Sequence, residues 1–143
     1  MFSKTCEYAI KIMICVATAP GDGVRMGLDE IAEAVQSPKA FTAKILQQLA
    51  RAGLLDSARG RNGGFMMPSI TPIYLADIVA AVDGSGIMKD CVLGFNECSD
   101  EHPCPVHHKM RIVRDHLAVT LKSTSLHELK EVMERRDAYL TGA

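Results

Sequence analysis

Between Ser37 and Met67 the chain spells a helix with a firm start and stop, followed at once by a hairpin. Ser37 is a preferred N-cap residue, and Pro38 suits the first helical position, where its missing N–H would have no partner anyway. Gly53 supplies the C-terminal stop after about Ala52. At 100° per residue, Phe41, Thr42, Ile45, Leu46 and Leu49 share one face, while Ala40, Ala43, Lys44, Gln47 and Arg51 share the other. Leu54–Arg59 then reads as a short strand. Gly60-Arg61-Asn62-Gly63-Gly64 reads as a turn holding the favoured Asn-Gly dipeptide, and Phe65-Met66-Met67 as the return strand.

The flanks complete a mostly helical frame. Residues 3–19 carry Tyr8, Ile12, Cys15 or Val16, and Ala19 at helical spacing, and Pro20-Gly21-Asp22-Gly23 ends that helix. Residues 28–36 form a shorter helix on Leu28, Ile31, Ala32 and Val35, with Asp29 and Glu30 in the first turn complementing the helix dipole. Thr71-Pro72 starts another helix through about Val82, closed by Asp83-Gly84. Residues 85–104 show little periodicity. Pro105 then opens a long helix on which Val106, Met110, Val113, Leu117 and Leu121 follow a near-heptad seam. Ser125-x-x-Glu128 is a capping box for a last helix. The expected fold is mostly α with a small β-hairpin wing: a winged helix-turn-helix plus a long C-terminal helix. The expected division is 1–84 as the DNA-binding domain, 85–104 as a cysteine-containing sensor loop, and 105–143 as the dimerisation and C-terminal helices.

Composition agrees with a small cytosolic chain. Of 143 residues, 48% are apolar but only 5% aromatic, with no Trp, so the core must be aliphatic. No run of about 18 apolar residues exists to span a membrane. Lys4, Glu7 and Lys11 interrupt any secretory pattern at the N-terminus. Five cysteines in such a chain read as thiols or metal ligands rather than disulfides. Net charge is −1, yet residues 37–68 carry five cations against Asp56, a local +4, and residues 69–100 carry Lys89 against five carboxylates, a local −4. The basic stretch is either a phosphate-binding patch or ordinary surface scatter.

In a winged helix-turn-helix the second helix of the pair enters the major groove. Its small outward residues Ala40 and Ala43 permit close approach, while Lys44, Gln47 and Arg51 match phosphates or purine edges. Ser37 and Lys39 stand at its start, and Arg59 and Arg61 at the wing tip are placed for the backbone or a minor groove. A solvated helix face, or a winged module kept for protein contacts or for carrying a metal or cluster without DNA binding, is the competing reading. No nucleophile–base–orienter set and no phosphate loop appears, which argues against an enzyme.

The chemistry sits in Cys91-x6-Cys98-x5-Cys104-x2-His107. Thiolates suit iron–sulfur clusters and zinc. The spacing lacks the Cys-x2-Cys of a zinc knuckle, and wide spacing suits a larger inorganic unit. Cys104 precedes the Pro105 helix start, where the helix dipole favours a thiolate. His102, His107 and His108 offer nitrogen nearby. Three other uses stand beside a cluster: a disulfide switch between Cys98 and Cys104, zinc held with His107 or His108, or buried and inert thiols. The polar neighbours Asn96, Glu97, Ser99, Asp100 and Glu101 point to exposure rather than burial. Cys15 reads as core, and Cys6 has no evident role.

The chain resembles the IscR/NsrR-type (Rrf) family of bacterial transcription regulators over about residues 1–133. The resemblance is carried by Ser3-Lys4-Thr5-Cys6-Glu7-Tyr8-Ala9-Ile10, Asp29-Glu30-Ile31-Ala32-Glu33 with Ser37-Pro38, Ala52 to Gly60 with Gly63-Gly64-Phe65, Leu75-Ala76-Asp77-Ile78-Val79 with Asp83-Gly84, and the three cysteines. It implies a homodimeric winged-helix regulator of a double-stranded DNA operator, and the expected function is that of a repressor. It also implies an iron–sulfur cluster, 2Fe-2S or 4Fe-4S, on Cys91, Cys98 and Cys104, whose state tunes DNA binding. The long helix is the family's dimerisation helix. The fourth ligand differs between branches of the family: His107 matches one, and Glu7 from the partner subunit matches the other. The usual spacing resembles Cys-x5-Cys-x5-Cys, so this chain carries one extra residue between Cys91 and Cys98.

Overall fold

Ser3 begins the fold: its hydroxyl accepts the Cys6 N–H at 3.0 Å and caps α1, Lys4–Ala17. The computed structural model describes residues 1–21, 23–69 and 72–142. Asp22 of the expected turn and Thr71 of the expected helix start lie outside the described residues. Beyond α1 come α2, Leu28–Ala34, and α3, Lys39–Arg51. The hairpin follows as β1, Asp56–Ala58, and β2, Gly64–Met66. Then come α4, Leu75–Asp83; α5, Gly86–Lys89; α6, His107–Ser123; and α7, Leu126–Glu134. This is a winged helix-turn-helix with a long helix after it, as the pattern predicts.

The two faces of α3 separate as expected. Thr42, Ile45, Leu46 and Leu49 are buried with Phe41 half-buried beside them, while Ala40, Lys44, Gln47 and Arg51 are exposed. The inner face meets Ala9, Ile12, Met13 and Val16 of α1, Ile31 of α2, Ile78 of α4 and Leu126 of α7 in one aliphatic core. Replacing a fully buried leucine there with alanine costs about 2–5 kcal/mol. Gly53 ends α3 at φ +76°, with Gly53 N–H donating to Ala50 O and Leu54 N–H to Leu49 O, both at 3.0 Å. That pair of bonds is a Schellman stop, which needs the left-handed residue a glycine supplies.

The helix start differs from expectation. Pro38, not Ser37, occupies the cap position, and the Ser37 hydroxyl is buried without a hydrogen-bond partner. Its N–H donates instead to Ala32 O at 2.9 Å, closing the turn after α2.

The wing is shorter than predicted, with Asp56 opposite Met66, Ser57 opposite Phe65 and Ala58 opposite Gly64. Asn62-Gly63 is not a two-residue hairpin turn. Gly63 N–H closes onto Gly60 O at 2.9 Å, so Arg61 and Asn62 are the turn's central residues. Gly63 is required by crowding: an added Cβ would strike the Ala58 carbonyl. The wing base has a third partner, since Met26 and Phe65 exchange both backbone bonds at 2.8 Å.

Helix α4 begins three residues later than predicted. Residues 72–74 are extended, and Leu75 N–H to Thr124 O and Leu126 N–H to Ile73 O tie them to the turn between α6 and α7. Ser125 caps α7 by accepting the Glu128 N–H at 3.1 Å. The predicted seam on α6 also divides. Leu121 is only 2% exposed and joins Cys6 and Val79 in a second small core, with Leu117 packed against it. The apolar residues that α6 leaves in the open are chiefly Ile112 at 72% and Val119 at 65%, which lie off the predicted seam, and Val113, which lies on it. A one-dimensional periodicity cannot separate a stripe packed on the chain's own helices from one left free, and α6 carries both.

Candidate metal centre and nucleic-acid interface

The segment between α5 and α6 folds its three cysteines inward. Cys91 and Cys104 are buried and Cys98 is half-buried, against the expectation of exposure drawn from their polar neighbours. Asn96, Glu97, Asp100 and Glu101 are exposed and Ser99 is half-buried, so polar neighbours in the sequence do not keep the sulfurs in the open. All three cysteines and His107 line one cavity of about 440 Å³, walled also by Ile87 and by Met110, Val113, Arg114 and Leu117 of α6.

Each donor atom has a distinct setting. The Cys91 thiol is held below its ordinary range, chiefly by the Phe95 N–H, with Leu93 N–H, the Cys104 thiol and Gly94 N–H adding to it against the cost of burial. Successive backbone N–H groups aimed at one sulfur form a nest that favours an anion. The Cys98 sulfur lies 3.3 Å from His107 Nδ1 and accepts from Arg114 Nη1 at 2.7 Å.

His107 is 3% exposed at the first turn of α6. Its Nε2 lies 3.0 Å from Asp100 Oδ1. Hydrogen bonds from His107 and then from Arg111 hold the Asp100 carboxyl below the usual carboxylate range. An ionised carboxylate only accepts, so the neutral imidazole carries its proton on Nε2 and keeps the Nδ1 lone pair toward Cys98 and the cavity. This carboxylate–histidine pairing is the arrangement that orients a metal-ligating imidazole. Asp100, His107 and His108 also bring ligand atoms within 4.8 Å of one another. Arg111 engages both Asp100 oxygens, however, and this makes the carboxylate an orienting group for His107 rather than a ligand in its own right. Three inward sulfurs and one imidazole lone pair around a common cavity fit an iron–sulfur cluster.

Glu7, expected to act on a partner's site, stands apart from the cavity of its own chain. It is half-buried on α1, pairs with Lys4 at 3.2 Å, and does not line the cavity. Cys15 is core, as expected. Cys6 is also buried, and burial followed by the nearby Asp83 pushes its thiol up to about 12. Sequence reasoning missed Asp100, Arg111 and Arg114 as parts of the site. Arg111 and Arg114 stand four and seven residues after His107, on one helical face, and that spacing was the available signal.

None of the α3 or wing residues lines that cavity. Ala40, Lys44, Gln47 and Arg51 are exposed along α3, Ala43 is half-buried among them, and Arg59 and Arg61 are exposed at the wing tip. Lys39 is exposed but paired with Asp29 at 2.9 Å. Ser37 turns its hydroxyl inward, away from this surface. Arg25, also missed, clamps the wing base by donating to Asp56 O at 3.0 Å, Gly64 O at 3.3 Å and the Asp56 carboxylate at 2.9 Å.

A winged helix-turn-helix with an exposed basic face points to a class, the DNA-binding transcription regulators, and the thiol-lined cavity is a second candidate site on the same chain. A family model described as Rrf2, iron-dependent transcriptional regulator, matches residues 2–132. The chain belongs to the Rrf2 family and is a transcriptional regulator, not an enzyme. It is 29% identical over 132 residues to the HTH-type transcriptional regulator IscR of Photorhabdus laumondii, covering 92% of this chain and 79% of that one. Its structure is similar to that of CymR, the global cysteine regulator of B. subtilis, with a TM-score of 0.76 and 26% identity over 92% of this chain and 96% of that one. T. potens IscR shares the fold, with a TM-score of 0.73 at 22% identity over 99% of this chain and 93% of that one. Among the described residues no helix is long and apolar enough to cross a membrane.

Proposed function

We propose that this regulator is a cytoplasmic homodimeric repressor whose affinity for its DNA operator is set by an iron–sulfur cluster held by Cys91, Cys98, Cys104 and His107. The observation that carries the reading is the convergence of those four side chains on one cavity, with Asp100 fixing the imidazole so that Nδ1 faces inward. His107 is favoured because it is buried in the same wall as the sulfurs, whereas Glu7 would have to reach the cavity from a partner subunit. When bound, the cluster supplies an iron whose nitrogen ligand is less firm than a thiolate, leaving it open to nitric oxide, oxygen or acid.

The chain's own residues supply the rest. Ala40, Ala43, Lys44, Gln47 and Arg51 present a flat, cationic helix face to the major groove, and Arg59 and Arg61 reach from the wing, with Lys39 at the edge. The exposed Ile112, Val113 and Val119 on α6 offer a second copy an apolar face. Residues 1–84 then read DNA, 85–104 sense, and 105–143 join the copies. His107, Arg111 and Arg114 all sit on α6 and all touch the cysteine segment, so a change there moves the helix that joins the subunits and alters the spacing of the reading heads.

Protein purified without oxygen should be coloured and should contain iron and acid-labile sulfide, and exchanging any of the three cysteines for alanine should remove both and change a gel shift on the operator. Colourless protein free of iron, with DNA binding indifferent to the cysteines, would reject the reading. A second reading is a cluster-free regulator that responds to thiol oxidation or a small ligand. It is favoured by the contact of Cys98 with His107 and Arg114. Iron and sulfide content separates the two.

A further inference from the structure

We propose that Arg114 is a positioning residue for the metal centre: by donating to Cys98 Sγ it raises the reduction potential of the bound cluster and slows loss of its iron. The inference rests on the cluster reading above and concerns a residue outside the ligand set.

The geometry is specific. Arg114 Nη1 lies 2.7 Å from Cys98 Sγ and 3.3 Å from the carbonyl of Lys89, at the end of α5. Its other nitrogen, Nη2, is 3.3 Å from Asp115 Oδ1. Only 17% of the side chain is exposed, and the guanidinium lines the cavity. One planar fork thus spans α5, the cysteine segment and α6. Arginine suits this task because its charge is permanent and its donors are fixed in one plane. Cys91 receives backbone N–H groups, whereas Cys98 receives a full positive charge. Among the described contacts to these sulfurs, the one from a permanently charged side chain falls on Cys98.

The direction follows from charge. Adding one electron makes the site more negative by one, and a nearby cation stabilises the more negative state more. Hydrogen bonds to sulfur act the same way, and both are recognised means by which a protein tunes a cluster. Removing Arg114 must lower the potential. It also frees Cys98 to move, because with the His107 proton on Nε2 no other described side chain donates to that sulfur.

The test uses the full chain, purified without oxygen, as wild type and as R114K, R114Q and R114A. Dithionite supplies the electrons in a dye-mediated titration followed by visible absorbance, and iron release to a chelator is timed in parallel. R114A and R114Q should titrate at lower potential than wild type, with R114K between, and R114A should retain iron about 10- to 100-fold less well. A merely structural arginine would lower the melting temperature without moving the potential. Equal potentials and equal iron release in wild type, R114K and R114Q overturn the inference even if R114A fails to fold. Wild-type protein without iron or visible absorbance overturns the cluster reading itself, a result distinct from equal potentials.

Discussion

Gln48 on α3 donates its side-chain N–H to the carbonyl of Ala81, 3.2 Å away on the last turn of α4. Two residues further, Asp83 closes α4 and accepts from both the N–H and the hydroxyl of Ser3, the cap of α1. The cysteine segment starts just beyond. The helix proposed to read DNA is thus bonded directly to the helix that leads into the cavity. Gln48→Ala should lower stability by about 0.5–1.5 kcal/mol, the net value of one hydrogen bond, measured by urea unfolding. It should also shrink the ratio of operator affinities with and without the cluster. An unchanged ratio would show that the signal takes another route.

The orientation of His107 predicts which carboxylate matters for iron. Asp100→Ala leaves the imidazole free to rotate and should weaken iron retention about 10- to 100-fold, the usual effect of losing a partner of a metal-ligating histidine. His107→Ala should do at least as much, while Glu7→Ala should leave the iron content as in wild type. Iron per chain after anaerobic desalting against a chelator is the measurement. Loss of iron in Glu7→Ala with retention in His107→Ala would move the fourth ligand to the partner subunit.

Much of this molecule is legible in the residue order, and most of what is not has a long-range cause. The two faces of α3, the Gly53 stop and the Ser125 cap come from neighbours within one or two helical turns. The clamp of Arg25 on Asp56 and Gly64, the exchange of bonds between Met26 and Phe65, and the tie between Ile73 and Leu126 join residues far apart in the chain. No periodicity encodes them. The cavity is a similar case. Cys91, Cys98, Cys104 and His107 stand out by type and spacing, but their burial depends on the Arg111 and Arg114 face of α6. Ser37 shows the converse, where a strong local cap signal yields to the tight turn that binds its N–H to Ala32.

The wing depends on a glycine with no room for a side chain. Gly64 sits at φ +127°, and a Cβ there would lie 2.5 Å from the Met26 carbonyl. Gly64→Ala should cost about 1–3 kcal/mol through strain at this position. It should also displace the wing and weaken operator binding. Thermal unfolding and a gel shift check the two effects, and a variant that keeps both at wild-type values would show that the wing base yields without cost.

Cys15 links stability to alkaline pH. Burial first, then the charge of Glu30, raises its thiol above the ordinary 9.0. The folded state therefore keeps its proton at a pH where the unfolded chain releases it. The stabilising contribution is complete below about pH 9 and declines as pH rises through the folded-state value. Urea unfolding across this range should show a decline that is shallower in Cys15→Ala, and the native thiol should resist alkylation at neutral pH. Rapid alkylation of Cys15 in folded protein would contradict its burial.

The salt dependence of DNA binding gives each cation a separate readout. The logarithm of the binding constant falls against the logarithm of salt concentration by about 0.9 per phosphate neutralised on B-form DNA. A residue that meets one phosphate in each subunit of a dimer accounts for two contacts. Lys44→Ala, Arg51→Ala, Arg59→Ala or Arg61→Ala should therefore each flatten the slope by about 1.8 where the side chain grips the backbone in both subunits. Lys39→Ala should flatten it less, because that ammonium is already paired with Asp29 at 2.9 Å. Gln47→Ala should leave the slope alone and relax sequence preference, since a neutral amide contributes to base recognition and not to counterion release. A slope change near 0.9 in place of 1.8 would mean that only one reading head engages, and an unchanged slope for all four cations would remove α3 and the wing tip from the DNA surface.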